Sequence, residues 1–586
     1  MRILFSMRHI GSYRLYDSVL RRLASRGHSI DIVVNKREGL EWGSAPQQLL
    51  SDLASVSWHW TDDVEADAWL ELATVVRIWL DYLRYFEPRY EAAPRLRTRA
   101  EERVPAFVVQ AMRHRAWRSP AGRRCLARSL RIIERALPRQ RHVDAMIREL
   151  RPDLVLLTPL LHLGSSQIEV LRSAKALGVR TGVCIGSWDH LSSKSLIREL
   201  PDRVFVWNET QKREAIELHR IPGNRVVVTG AQCYDHWFDR QPSRPRDAFA
   251  RRVGLPADRP IILYVGSALF VGSPVEADFV LDWIRRIRGS GVSELAEAAV
   301  LIRPHPARLA EWKQADLAQF SHVALYGAHP VDDETRQDYF ESLFYASAVV
   351  GLNTSAFLEA AVVGRPVHTL LLPQFRENQE GTLHFHYLLP ANGGPLVVAR
   401  SFEEHLAQLA DSVLAPDAGR SQRFVEAFIR PAGRFVSATD VFADAVEALG
   451  REAAPGQATQ PIWAFPLRAG LWPAARLARF AMQRAGPSDR TSYELQRARL
   501  KIRHRQEKQE TERVRLVARE CIRQEKRARA LSARAALQQH RERAREDSER
   551  EKAAVRREKE RRKLQQVRAK RRALLKHRIK QKLGLA

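Results

Sequence analysis

The sequence predicts an α/β protein: two Rossmann-like, doubly wound parallel-sheet domains in series, a helical insertion in the first, and a long basic helix at the end. Three observations predict it. Short apolar runs alternate with segments of helical period. That rhythm runs through the chain twice, on either side of a polar, proline-bearing stretch at 239–258. The end of the chain has a different composition altogether.

The elements follow in order. Residues 2–5 carry the run ILF, a polar loop spans 6–12, and Leu15, Val19, Leu20 and Leu23 share one face of a helix over 13–26. Gly27 ends that helix, and SIDIVV at 29–34 is the next strand. Residues 41–150 are rich in Arg, Trp, Leu and Ala, hold Trp58, Trp60, Trp69 and Trp79, and read as a helical insertion. Strands resume at 153–158, 181–185, 203–207 and 225–229. A second series lies at 261–265, 299–302, 323–326, 348–352 and 367–371, with closing helices at 402–413 and 422–428. Short apolar strands between helices are what a parallel sheet covered on both faces requires. The expected domains are therefore 1–240 and 250–450, then an aromatic and basic linker at 451–487 and a charged tail at 488–586. Ligands of such sheets bind outside the carboxyl ends of the strands, so the cleft between the domains is the expected site.

Composition narrows the class. The chain of 586 residues has 96 Lys+Arg against 68 Asp+Glu, a formal charge of +28. Residues 491–586 hold 33 and 13 of these, leaving 63 against 55 for residues 1–490. Residues 1–490 are thus nearly balanced and the tail is a polycation. Four scattered cysteines without a CxxC argue against a disulfide framework or a structural zinc, and fit a reducing, cytoplasmic setting. The first residues have too short an apolar run for a signal peptide. Residues 342–364, with Glu359 as their one charge, read as a buried strand, a turn and a helix and not as a membrane span.

The strongest motifs sit in the second series, each after a strand. Gly266 and Ser267 form a turn whose amides and hydroxyl can cradle a phosphate. Arg303 and His305, in RPHP, bring a cation and a donor to a strand end. Asn353, Thr354 and Ser355 stand at a helix start, where they cap the helix and can face an anion. Glu359 lies on that helix, where a carboxylate can accept ribose hydroxyls. Each motif also has a purely structural reading as turn, cap or first-turn acid.

Taken together these residues look like the nucleotide-binding half of GT-B-fold glycosyltransferases. RPHP with Asn-Thr-Ser is similar to the His-Pro and Ser-Ser/Ser-Thr pair of bacterial CDP-glycerol glycerophosphotransferases and capsule sialyltransferases. Glu359 followed by Gly364, Arg365 and Pro366 resembles the wider superfamily, UDP-sugar transferases and 2-epimerases included. The resemblance covers roughly residues 1–450 and is loose at the level of the donor. It implies a transferase that moves a sugar or polyol-phosphate from a CDP-, CMP- or UDP-linked donor to a surface-polymer or lipid-linked acceptor, with no cofactor and no metal. It assigns the donor to Gly266, Ser267, Arg303, His305, Thr354, Ser355 and Glu359.

The first domain offers fewer candidates. His9, in the loop after the first strand, suits a general base, and Gly11 allows close approach of an acceptor or a donor phosphate. The loop GSWDHLSSKS at 186–195 places Asp189 and His190 as acid/base candidates, with Ser192 and Lys194 on the acceptor side. His162 reads as helix-entry structure. After the last strand, Glu377, Asn378, Gln379 and Glu380 form a polar loop expected to close over the donor sugar. His384 and His386 would share a face on a strand, but with no third ligand they make no metal site.

Residues 455–487 alternate Trp463, Phe465, Trp472 and Phe480 with Arg468, Arg476, Arg479 and Arg484, a pattern that suits a membrane interface or a linker packed on the domains. From 488 to 583 there is no Gly and no Pro, and strong helix formers dominate. Apolar residues there are too sparse for sustained heptads, so the tail reads as a long charged helix, exposed, weakly coiled or used for oligomer contact. Its expected partner is an anionic membrane surface rather than nucleic acid, since no aromatic follows Tyr493. Two other readings stay open: a nucleotide-sugar 2-epimerase, and a non-catalytic scaffold of a membrane assembly.

Overall fold

The computed structural model describes residues 1–35, 50–61, 68–102, 104–270, 272–327, 330, 333–484, 545, 547–580, 582 and 584. They divide into two units, 1–485 and 486–586.

The first sheet has seven parallel strands: β1 Arg2–Met7, β2 Ser29–Asn35, β3 Val56–Thr61, β4 Leu154–Thr158, β5 Arg180–Cys184, β6 Arg203–Val206 and β7 Val226–Val228, in the order β3-β2-β1-β4-β5-β6-β7. The second has six: β8 Ile261–Val265, β9 Ala299–Arg303, β10 Val323–Leu325, β11 Ala346–Gly351, β12 Val367–Leu370 and β13 Leu396–Ala399, in the order β10-β9-β8-β11-β12-β13. Both are parallel throughout, and both reverse their order beside the first strand, between β1 and β4 and between β8 and β11. These are doubly wound sheets, and each reversal opens a crevice at the carboxyl edge. The central strands are apolar along their whole length because helices cover both faces; β4 and β8 are fully buried.

The principal helices are α1 Asp17–Ser25, α2 Ala68–Leu83, α3 Pro120–Ala136, α4 Glu276–Arg288, α5 Asp333–Phe344, α6 Ala356–Val362, α7 Ala438–Arg451 and α8 Ala464–Arg484. α7 follows the second sheet in sequence but covers the first. Its Phe442, Ala443, Val446 and Leu449 join Ile3, Phe5, Leu20 and Phe205 in one core. Arg26 reaches Asp444 at 2.6 Å and His28 reaches Glu447 at 2.8 Å, while Arg22 pairs with Asp440. Ser437 caps α7 at the amide of Asp440. Just before it, the Arg430 guanidinium holds Asp235 at 2.7 Å, and the Ala231 amide donates to the carbonyl of Ile429 at 2.8 Å. The returning chain thus ties the two sheets together.

The insertion is helical from 68 onward, with its own core of Leu72, Val76, Leu80, Leu96, Val108, Leu126 and Leu130. It is anchored by buried ions. Arg77 lies between Glu134, at 3.1 Å, and Glu169, and Asp81 takes Arg198 and the amides of Leu196 and Gly164. Burial raises the Asp81 carboxyl to about 6. Removing one partner from such a group would strand a charge in the interior.

Several expectations need correction. Trp58 and Trp60 are not helical; they lie on β3, an edge strand inside the range read as insertion. β13 was not anticipated. Within 239–258, Arg246–Val253 is a helix whose Phe249 and Val253 enter the core of the second sheet. Within 451–487, where a segment packed on the domains is one of two readings, α8 packs on the insertion, with Ala475 buried in its core and the Trp472 ring 5.5 Å from Trp69. In the second unit residues 547–580 are helical, and every described side chain there is exposed. Most of the tail, 485–544, lies outside the described residues.

Candidate functional site

The crevice of the second sheet is built around Gly266 and Ser267. A Cβ on Gly266 would stand 2.5 Å from the amide nitrogen of His305, so glycine is what lets the ends of β8 and β9 approach. The Ser267 hydroxyl accepts the Asn353 amide at 3.1 Å, joining the two strands that flank the reversal. The Ser267 amide, expected to face a phosphate, is instead spent on Glu276, 3.0 Å from both oxygens. Tyr264 donates to the same carboxyl at 3.0 Å, and burial raises Glu276 to about 7.

Arg303 ends β9 with its side chain buried. Its guanidinium donates to Ser342 at 3.0 Å and lies 5.1 Å from the ring centre of Tyr339 on α5. Burial lowers its pKa. His305 begins the next turn, its Nδ1 accepting the Ala307 amide at 3.1 Å. Thr354 accepts the Ala356 amide at 3.3 Å through its hydroxyl, and Ser355 is exposed at the start of α6. Glu359, on α6, accepts the Tyr339 hydroxyl, and burial raises its carboxyl to about 7. Its charge contributes, after burial, to pushing up both Cys233 and Tyr234 from the turn after β7. Glu359 therefore sits where the two sheets' loops meet.

The loop after β12 is tied to the strand ends around the crevice. The Asn378 side chain accepts the Phe270 amide at 2.7 Å and donates to Ser273 at 2.8 Å. The Gln379 amide group donates to the carbonyls of Leu352 and Leu370 at 3.1 and 2.9 Å. Glu377 pairs with Arg95 of the insertion at 2.5 Å, and Glu380 with Arg400 at 3.0 Å. His384 and His386 lie in the 3-10 turn His384–Leu388, not on a strand, so they share no sheet face. His386 meets the Glu380 carbonyl at 2.8 Å, whereas the His384 ring meets the edge of Trp188 at 4.7 Å.

That contact brings the second sheet's loop onto the first sheet's. Asp189 bonds the hydroxyls of Ser187 at 2.7 Å and Ser193 at 3.0 Å and lies 3.2 Å from the Lys194 ammonium. Burial opposes its charge, but Lys194, His190, His384 and Ser187 together hold it far below the carboxylate range. It is thus a poor proton acceptor and a good orienting anion. Burial lowers His190 and His384 each to about 4, so both are neutral near pH 7. Ser192 is buried and donates to the Asp189 carbonyl at 3.3 Å. At the other crevice His9 precedes the turn Ile10–Leu15, which contains Gly11, with its Nδ1 3.5 Å from Ser12. His162 is held well below its usual range by burial and by the charges of Arg8, Arg198 and His9, so these groups gather at the ends of β1 and β4.

Sequence reading missed what holds the Asp189 loop. Arg84, buried at the end of α2, donates to the carbonyls of Leu191 at 2.7 Å and Ser195 at 2.9 Å, and to that of Lys194. Arg99 adds Ser193 at 2.8 Å and Tyr85 the same carbonyl at 3.2 Å. Glu214, raised to about 7 by burial, accepts the Tyr387 hydroxyl at 2.6 Å across the two halves. No local pattern marks these residues, because their partners lie about a hundred positions away. Among the described residues no group of His, Cys, Asp and Glu is arranged to hold a metal ion. No described helix is long and apolar enough to cross a membrane.

No family model matches the chain, and no curated protein matches it in sequence. Solved structures do overlap it. A UDP-GlcNAc 2-epimerase from Methanocaldococcus jannaschii matches at 12% identity and TM-score 0.45, over 76% of this chain and 100% of its own. A glycosyltransferase from Rickettsia africae matches at 12% identity and TM-score 0.44, over 77% and 99%. A UDP-GlcNAc 2-epimerase from Neisseria meningitidis bound to UDP-GlcNAc matches at 11% identity and TM-score 0.43, over 76% and 100%. Overlaps this low carry no argument, and the fold stands on the strand orders given above.

Proposed function

We propose that this chain is a GT-B-type transferase. It moves a sugar or polyol-phosphate from a CDP-, CMP- or UDP-linked donor to a cell-surface polysaccharide or lipid-linked acceptor. The observation that carries this reading is Glu359: a part-buried carboxyl raised to about 7, held by the Tyr339 hydroxyl, where the loops of two doubly wound sheets meet. A ribose diol supplies the further hydroxyl donors that such a carboxylate accepts. Thr354, Ser355 and His305 line the donor phosphate, with Gly266 keeping the backbone close. Ser267 and Arg303 position these turns from beneath. Glu380 lies toward the donor sugar. On the acceptor side His9 or His190 removes the hydroxyl proton, the Asp189 charge favours the imidazolium that forms on His190, and Gly11, Ser192 and Lys194 shape the site.

Isothermal titration of UDP, CDP, CMP and GDP compounds tests the donor assignment. Glu359→Ala is expected to weaken binding by about tenfold or more, the loss of a charge-assisted pair of hydrogen bonds. Binding that survives both Glu359→Ala and His305→Ala unchanged overturns it. Turnover of a UDP-sugar with no acceptor present would mark an isomerase instead. Normal function of a His9, Asp189 and His305 triple variant in cells would mark a scaffold.

A further inference from the structure

Two neighbouring helices outside the proposed site turn unusual faces away from their shared core. α8 turns Leu471, Ala475 and Ala478, a stripe of helical spacing, into the core it shares with α2 and α3, with Ala475 fully buried. Its exposed positions carry Phe465, Arg476, Leu477, Arg479 and Phe480. Phe465 is 60% exposed, Leu477 66% and Phe480 46%, which is costly for apolar side chains in water. No acidic residue occurs between 453 and 487.

α3 lies alongside. Its Arg124, Arg128, Arg131 and Arg135 are all exposed and fall at i, i+4, i+7 and i+11, one continuous stripe. Arg113, Arg115 and Arg118 are exposed just before it. From 103 to 141 the one acid is Glu134, and it is buried against Arg77 and Arg198. The stripe therefore has no carboxylate of its own segment to neutralise it, and like charges spaced one turn apart repel.

We propose that α3 and α8 together form a docking surface for an anionic lipid bilayer. Charge complementarity supplies the anionic half: a row of guanidinium groups meets phosphate headgroups. The aromatic and leucine side chains supply the other half, since a soluble polyanion gains nothing from Phe465, Leu477 and Phe480, whereas an interface takes rings and aliphatic tips below the headgroups. This assigns membrane contact to the folded part of the chain, independently of the basic tail, and it does not rest on the donor site.

The test uses the full-length chain with vesicles of phosphatidylglycerol and phosphatidylcholine, against vesicles of phosphatidylcholine alone. Hydrogen exchange separates this surface from the tail: anionic vesicles should protect amides in 464–484. In high salt, where the Debye length falls toward about 3 Å and the tail is screened, the triple variant Phe465→Ser, Leu477→Ser, Phe480→Ser should partition about tenfold or more less. Arg124→Glu with Arg128→Glu and Arg131→Glu should weaken binding at low salt. All of these side chains are exposed, and an unchanged thermal transition confirms that the variants fold. No protection in 464–484, or vesicle binding by the aromatic variant equal to that of the parent, overturns the proposal. So does a single-stranded oligonucleotide that protects the same segment and is insensitive to the aromatic variant.

Discussion

At the scale of single residues, Glu359 gives the sharpest expectation. Its carboxyl is raised from 4.5 to about 7 by burial. Between those values the folded chain holds a proton that the unfolded chain has released. Its contribution to stability is therefore present below 4.5 and lost as pH rises toward 7. Ribose binding needs the ionised form, so nucleotide affinity should rise with pH through about 7, and Glu359→Gln should flatten that rise in a titration series. Asp189 has the opposite shift and stays ionised throughout, so an activity profile should carry no limb from it. The sequence marked Gly266, Ser267, Thr354 and Glu359 because their residue types follow strands at fixed offsets. It could not show direction: Arg303 turns under α5, and the Ser267 amide goes to Glu276, a residue nine positions on.

At the scale of elements, the joint between α7 and the first sheet and the clamp on the Asp189 loop are the points to probe. Phe442 is buried between Tyr16 and Phe205, and Phe442→Ala should cost about 3–5 kcal/mol, read as a fall in the denaturant midpoint. Arg84→Ala removes a buried cation from three carbonyls and should cost about 3 kcal/mol; Arg84→Lys should restore only part of it, because a single ammonium cannot fork across all three. The central strands were legible because burial on both faces makes them unbroken apolar runs, as in LVLLT of β4. β3 was not: VSWHWT alternates apolar and polar residues as a half-buried edge strand does, but it lies in a stretch whose Arg, Trp, Leu and Ala content reads as helical. The sequence suggests a short helix only at 474–483, because prolines precede it; α8 runs from Ala464 through Pro473, and packing against Trp69 and the insertion core outweighs the hydrogen bond that Pro473 removes.

At the scale of the whole molecule, the formal charge of +28 divides along the two units. Removing residues 488–586 should leave the thermal transition of 1–485 within about 2 °C of the parent, since residues 1–485 form a compact unit with cores of their own. A larger drop would show that the tail supports the fold. The central claim is the donor site between the sheets, and isothermal titration of UDP, CDP and CMP compounds against the full chain and Glu359→Gln, on either side of pH 7, tests it most directly. The expected result is that one of these nucleotides binds, and that binding weakens by about tenfold or more in the variant and on acidification. Binding by none of them, or equal binding by parent and variant, would contradict it.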